Sequence, residues 1–253
     1  MKKILIVCAL SSELNNIKEI VKNLGLRNVK LSFFTTGMGN YNTILNLTRF
    51  LENESFDFVI NIGVCGYKTE IIPAFQVARI YNLSNNKELI IPNLIDFLSL
   101  KSIACSEKIV FDSSIILEEL FVDMESYGFE LVCNSFSVPR LILKVPVDKI
   151  GDETKNFDFE KAVTFLKQNI DYKALLEKVI SYLDKKEEKI DFEKYFKVFN
   201  FTFSEKEIFK KFYFRYNSLV GSDFEEYFLE NSSLEKKVFL KELEKFLEKF
   251  LIK

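Results

Sequence analysis

Three acidic positions offer chemistry: Glu13, Glu125 and Asp148. Glu13 lies just past the apolar run Ile4 to Leu10, and Asp148 follows the run Arg140 to Val147. If both runs are strands of one sheet, these two carboxylates from distant sequence can converge on one cleft and divide general acid and general base work between them. Taken singly, each reads first as an ordinary surface acid or helix cap. Glu125, within the segment Val122 to Ser126, opens a helix, where a carboxylate also complements the N-terminal dipole.

The chain contains no histidine. That excludes Ser-His and Cys-His nucleophilic machinery and the usual imidazole metal sites, so proton transfer falls to carboxylates, Lys, Tyr or Cys. Cys8, Cys65, Cys105 and Cys133 are widely spaced, without a Cys-x-x-Cys pair, and sit among apolar or small residues. They read as buried thiols of a cytoplasmic protein without structural zinc.

Two glycine segments lie near the acids. Gly37-Met38-Gly39-Asn40 stands between a strand and a helix, where glycine lets backbone approach a ligand and amides gather at a helix N-terminus, although such a turn also needs glycine for its own geometry. Asn61 to Tyr67 closes a third strand and would lie at the carboxyl edge of the sheet, where open α/β folds bind ligands; a tightly packed turn is the equal alternative.

The elements that must position these residues follow from hydrophobic patterning. Ile4 to Leu10, Leu31 to Thr36, Phe56 to Gly63 and Arg140 to Val147 are apolar runs of strand length, suited to strands buried on both faces. Between the first three, Leu14, Ile17, Ile20, Val21 and Leu24, then Ile44, Leu45, Leu47 and Leu51, recur at helical spacing. Strand alternating with helix implies a mixed, mostly parallel central sheet flanked by helices, an α/β fold. Shorter β-like pieces, Phe75 to Leu83 and Lys101 to Phe111, occupy the middle, and 123–136 reads as a helix with Met124, Tyr127, Leu131 and Val132 facing inward.

From Asp158 the period is helical to Lys253, and beyond Lys185 the chain is dominated by Lys, Glu and Phe. The charge run 184–190 marks a boundary, dividing an α/β domain (1–185) from a C-terminal all-helical extension (186–253). Phe192, Tyr195, Phe196, Phe199, Phe201 and Phe203 exceed what a solvated helix needs and are expected to pack on the α/β body or a second subunit, as a structural cap before a partner-binding module. The last helix sets Phe239, Leu240, Leu243, Phe246, Leu247 and Phe250 against a Lys/Glu face.

Composition bounds the rest. The chain has 253 residues, 48% of them hydrophobic, enough for one large domain plus an appendage. Its net charge of -2 gives no long-range attraction for nucleic acid or anionic membranes. No apolar run approaches the ~20 residues that span a bilayer, and Met1-Lys2-Lys3 with its short apolar run reads as a strand, not a signal peptide.

Together the ordered segments ILIVCALSSEL, TTGMGNYNT, DFVINIGVCGY and VDMESYGFELVCNSFSVPRLILKVPVD, spanning residues 4 to about 152, resemble the superfamily of purine nucleosidases and nucleoside phosphorylases. The similarity is greatest to 5′-methylthioadenosine/S-adenosylhomocysteine nucleosidase and futalosine hydrolase. By that resemblance Glu13 stands where the nucleosidases keep the acid that activates water, Asp148 where they keep the acid that protonates the purine at N7, and Met124 and Glu125 where they pack on and hydrogen-bond the ribose. Gly39, Gly63, Val64 and Ile109 fall on the substrate-binding segments. The resemblance implies no metal and no cofactor, a small-molecule nucleoside as substrate, and a homodimer.

Three departures bear on activity. Val147 replaces the serine that helps hold the acid at 148, Ile109 replaces an aromatic that stacks on the purine and is preceded by Lys108, and Val64 and Tyr67 replace small or hydroxylated residues. Phosphorolysis would need fixed guanidinium donors, and none of Arg27, Arg49, Arg79, Arg140 and Arg215 lies in the glycine segments. The expected function is therefore hydrolysis of the N-glycosidic bond of a purine nucleoside or 5′-substituted adenosine. A catalytically degenerate nucleoside-binding or interaction protein is the alternative, and a phosphorylase the third reading.

Overall fold

The computed structural model describes residues 1–116, 118–187, 191–220 and 223–250. The expected strands and helices alternate as β1 (Lys2–Cys8), α1 (Ser11–Lys22), β2 (Val29–Thr35), α2 (Asn40–Asn53) and β3 (Phe58–Tyr67). Next come β4 (Phe75–Asn82), β5 (Lys87–Ile90), β6 (Leu100–Cys105), β7 (Phe121–Asp123), α3 (Ser126–Ser135) and β8 (Arg140–Lys149). The remainder is helical: α4 (Asp152–Lys155), α5 (Phe159–Asn169), α6 (Tyr172–Glu187), α7 (Glu193–Phe199), α8 (Phe203–Leu219), α9 (Phe224–Asn231) and α10 (Lys236–Glu248).

The strands form one mixed sheet in the order β2-β1-β3-β7-β6-β4-β5, with β8 pairing with both β3 and β4. β1 is parallel to β2 and β3, and β3 is parallel to β8; the antiparallel pairs are β3 with β7, β4 with β5 and β4 with β8. Successive strand residues face opposite sides, and here both sides are covered. Ile4, Ile6 and Cys8 of β1 join Leu14, Ile17 and Val21 of α1 and Leu175, Leu176 and Val179 of α6 on one face. Leu5 and Val7 join Leu47 and Leu51 of α2 and Phe129 and Val132 of α3 on the other. That double burial is why the strands read as unbroken apolar runs.

Along β3 and β8 the register runs Gly63 with Lys144, Cys65 with Pro146 and then Gly66 with Asp148, so Val147 is skipped. Pro146 has no N–H to give the ladder, and a bulge beside it is where such a residue is tolerated.

Two local readings are settled. Of the two left open for Asn61 to Tyr67 the strand holds, since it is the second half of β3 with β8 continuing alongside it to Lys149. The expected helix at 123–136 begins only at Ser126, since Phe121–Asp123 is a strand paired to β3 and β6. α3 is also buried around most of its circumference, on Tyr127, Phe129, Val132, Cys133 and the polar Glu130 and Asn134.

The aromatic residues of the C-terminal helices pack mainly on one another, not on the α/β body as expected. Tyr195, Phe196, Phe199, Phe201, Phe209, Phe224, Phe228 and Phe239 form a separate core with Leu240, Leu243 and Leu247. Phe203 is the exception, 81% exposed at the start of α8. Contact with the sheet runs through Arg140: its guanidinium pairs with Glu130 and donates to the Ser218 carbonyl at the C-terminal end of α8, at 2.8 Å. Of the charge run 184–190, residues 188–190 lie outside the described residues, as do 251–253 at the end of the expected last helix. All four cysteines are buried free thiols. Among the described residues no helix is long and apolar enough to cross a membrane.

Candidate active site

A cavity of about 250 Å³ opens over the carboxyl ends of β3 and β8. Glu13, Gly63, Val64, Ile109, Met124, Glu125 and Asp148 all line it. Gly39 does not; its role is indirect, its N–H donating to Glu125 Oε1 at 3.0 Å.

Glu13 sits in the first turn of α1, 4% exposed, with Oε2 accepting the Leu10 N–H at 3.0 Å. Burial pushes its carboxyl up from the usual range, opposed by the Leu10, Val64 and Ala9 amides and by the Lys144 ammonium. Glu125 stands at the N-terminus of α3, and burial pushes it up to about 7, against the pull of Lys144 and the Gly39 amide. Glu125 can thus hold or release a proton near neutral pH, which an exposed carboxylate does not do.

Asp148 leaves β8 just beyond the bulge. Burial raises its carboxyl too, while a hydrogen bond from Thr154 Oγ1 to Oδ2, at 2.6 Å, holds it down. Thr154 lies in α4, six residues downstream, and supplies the hydroxyl that Val147 does not. The aromatic rings of Phe157 and Phe159 line the cavity as well, edge to face with centroids 4.9 Å apart. They offer aromatic faces that Ile109, half exposed at the rim, does not.

The cavity floor holds a residue that sequence reasoning passed over. Lys144 Nζ lies 2.7 Å from Asp123 Oδ2 and 4.0 Å from Glu125 Oε2. Burial pulls its ammonium toward the neutral form, but the Asp123 and Glu125 carboxylates overcome this and hold the charge firmly in place. Asp123 is itself fixed by the Ser126 N–H at 3.0 Å and the Ser126 hydroxyl at 2.6 Å. A Cβ on Gly63 would stand 3.3 Å from Lys144 Nζ and 3.9 Å from Glu13 Oε1, so the missing side chain leaves space between the ammonium and the acid. Asn61 lines the same floor; its side-chain nitrogen donates to the Val7 carbonyl, and its oxygen has no partner among the described residues.

The signal for Lys144 was present: a cation in the middle of an apolar run, between Leu143 and Val145, must find an anion when buried. Asp123, immediately before Met124 and Glu125, is that anion. Thr154, Phe157 and Phe159 carried no comparable mark, because the chain reversal after β8 that returns them over Asp148 leaves no periodic trace.

No protein-family model matches the chain, and no curated protein matches its sequence. Solved structures do match in fold. The 5′-methylthioadenosine/S-adenosylhomocysteine nucleosidase of Helicobacter pylori, crystallised with butyl-thio-DADMe-Immucillin-A, superposes with a TM-score of 0.59 at 15% identity over 73% of this chain and 99% of its own. The Neisseria meningitidis nucleosidase, in complex with methylthio-immucillin-A, gives 0.58 at 14% over 72% and 100%. A futalosine hydrolase mutant of Helicobacter pylori gives 0.57 at 16% over 73% and 100%. The sheet, its covering helices and the cavity at the strand ends are therefore built on the α/β fold of these nucleosidases.

Proposed function

We propose that this chain is an N-glycosyl hydrolase that cleaves a purine nucleoside or a 5′-substituted adenosine of the methylthioadenosine or S-adenosylhomocysteine type. The observation that carries the reading is the convergence of Glu13, Glu125 and Asp148, from three separate elements, on one largely apolar cavity.

Cleavage of a nucleoside passes through an oxocarbenium-like state, so it is helped by protonating the leaving base and by negative charge near the sugar. Asp148, with its raised pKa and its orientation by Thr154, is the donor to the purine. Glu13 takes the proton from water as the water oxygen bonds to C1′ and the C1′–N bond breaks toward the base. The neighbouring Lys144 favours the charged form of Glu13 against the effect of burial, and the open Asn61 oxygen is a further acceptor for that water. Glu125 keeps one oxygen on Gly39 and offers the other to the ribose, with Met124 packing on the sugar. Phe157 and Phe159 stand in for the stacking aromatic that Ile109 lacks.

The reading extends to assembly and place. Met38 and Ile109 at the rim, with Tyr41 and Leu45 on α2, leave apolar surface that a second copy would cover in a homodimer. Four buried free thiols suit the reducing cytoplasm. The division into an α/β domain and a helical extension rests on the separate aromatic core of α7 to α10.

Purified protein screened against purine nucleosides tests the function directly. Release of free base without added phosphate supports it; calorimetric binding with no release makes the chain a nucleoside-binding protein instead.

A further inference from the structure

Asn61 lies on β3 opposite Val7 of β1, is 2% exposed, and lines the cavity floor. Its Nδ2 donates to the Val7 carbonyl at 3.3 Å, while Oδ1, itself buried, has no partner among the described residues. The Val7 carbonyl fixes which way the amide faces, because a flipped amide would set oxygen against oxygen. A buried acceptor without a donor is costly, so this oxygen calls for a donor that enters the cavity. The floor supplies none: Lys144 Nζ is held 2.7 Å from Asp123 Oδ2, and Glu13 and Glu125 are acceptors when ionised. Side chains alternate along a strand, so Asn61 and Gly63 face the same side of β3. Gly63 has no side chain, and the place its Cβ would take lies 3.9 Å from Glu13 Oε1. Asn61 and Glu13 thus bring two acceptors to the same open part of the floor.

We infer that Asn61 selects the nucleophile: with Glu13 it forms a pair of acceptors that a molecule with two protons on its attacking atom satisfies, so water reacts at C1′ and an alcohol of similar size is rejected. This rests on the nucleoside-cleaving reading above and adds to it a choice among nucleophiles. In the attack, one water proton passes to Glu13 as the oxygen bonds to C1′, and the electron pair of the C1′–N bond leaves with the base, which takes its proton from Asp148. The second water proton stays on the oxygen, donated to Asn61, and ends in the anomeric hydroxyl of the sugar. Methanol balances in the same way with its one proton, which goes to Glu13. Its methyl group then faces the Asn61 oxygen and leaves it unpaired, and a site built to hydrogen-bond a group rejects the analogue that lacks it for this reason.

The test is the partition of products in a water–methanol mixture. Wild type and N61L, with folding checked by circular dichroism in the same mixture, are incubated in excess over 5′-methylthioadenosine or adenosine, which keeps a slowed variant measurable, and free sugar and methyl glycoside are separated by chromatography. Wild type should form methyl glycoside at a ratio to free sugar at least ~tenfold below the mole ratio of methanol to water. N61L keeps the approximate volume and removes the acceptor, and should raise that product ratio by ~fivefold or more while releasing base more slowly. A purely structural role for Asn61 would slow release without moving the ratio. Should N61L not fold, N61V, β-branched as a strand prefers, is read in the same way. The inference is overturned if wild type forms methyl glycoside in proportion to the methanol present, if a folded apolar variant keeps the wild-type ratio or releases no base, or if neither variant folds, which would make Asn61 a strut between β1 and β3. A wild type that releases no base from either nucleoside overturns the nucleoside-cleaving reading and this inference with it, whereas base release with unselective products overturns the inference alone.

Discussion

Lys144 and Asp123 form an ion pair with Nζ to Oδ2 at 2.7 Å, their side chains 1% and 0% exposed, beneath a cavity that also holds Glu13 and Glu125. One cation thus stands among three buried carboxylates. Its worth lies less in attraction than in what its loss would leave behind.

Replacing Lys144 by methionine keeps the length of the side chain and removes its charge. Asp123 and Glu125 would remain buried without compensation, at a cost of about 3–5 kcal/mol. Urea denaturation should report that loss, and D123N/K144M together should recover part of it, since neither charge is then left alone.

Thr154 is a positioning residue for Asp148. T154V keeps the shape and removes the hydroxyl, so the fold should be retained while kcat falls by roughly 10- to 100-fold through misplacement of the acid. Because the Thr154 hydrogen bond holds the Asp148 pKa down, its removal raises it. The acid then stays protonated to higher pH, and the alkaline limb of the kcat/KM profile should move upward; a merely structural role for Thr154 would lower activity without moving that limb.

Glu125 makes stability depend on pH in a direction opposite to that of a salt-bridged surface acid. Its carboxyl is raised from 4.5 to about 7 by folding, so between these values the folded state binds more protons than the unfolded one. Stability should therefore fall as pH rises from about 4.5 through 7, by on the order of 1–3 kcal/mol. E125Q removes this component, so the difference between wild type and variant, measured by denaturation at pH 5 and pH 8, should widen in the variant's favour at the higher pH.

The C-terminal helices carry their own core, centred on Phe209, which is fully buried. F209A should cost about 3–5 kcal/mol through the cavity it leaves. Hydrogen exchange should rise across α7 to α10 well before it rises in β1 or β3. An equal rise in the sheet would show that the two cores unfold as one unit and argue against the proposed domain division.

Much of this was legible in the sequence where periodicity is strong. Strands buried on both faces announce themselves as β1 and β8 do, and the helical spacing of Leu14, Ile17 and Val21 places α1 against them. The acids could be read because each follows or ends such an element. The second half of β3 left a turn open as an equal reading because its glycines resemble punctuation, whereas they make room for Lys144 and for Ile150 and Val122. The self-packing of the C-terminal aromatics was not legible, since a phenylalanine-rich helix face does not say which neighbour it meets. Nor was Thr154, which reaches Asp148 only through the reversal that follows the bulge at Val147.

The central claim is that Glu13 and Asp148 act in one reaction on one bond. Steady-state release of free purine by wild type, E13Q and D148N, with folding checked by circular dichroism, tests it most directly. The account predicts that each variant loses at least ~100-fold in kcat/KM, in the range of removed general acid or base catalysis. Variants that fold normally and release base as fast as the parent would contradict it.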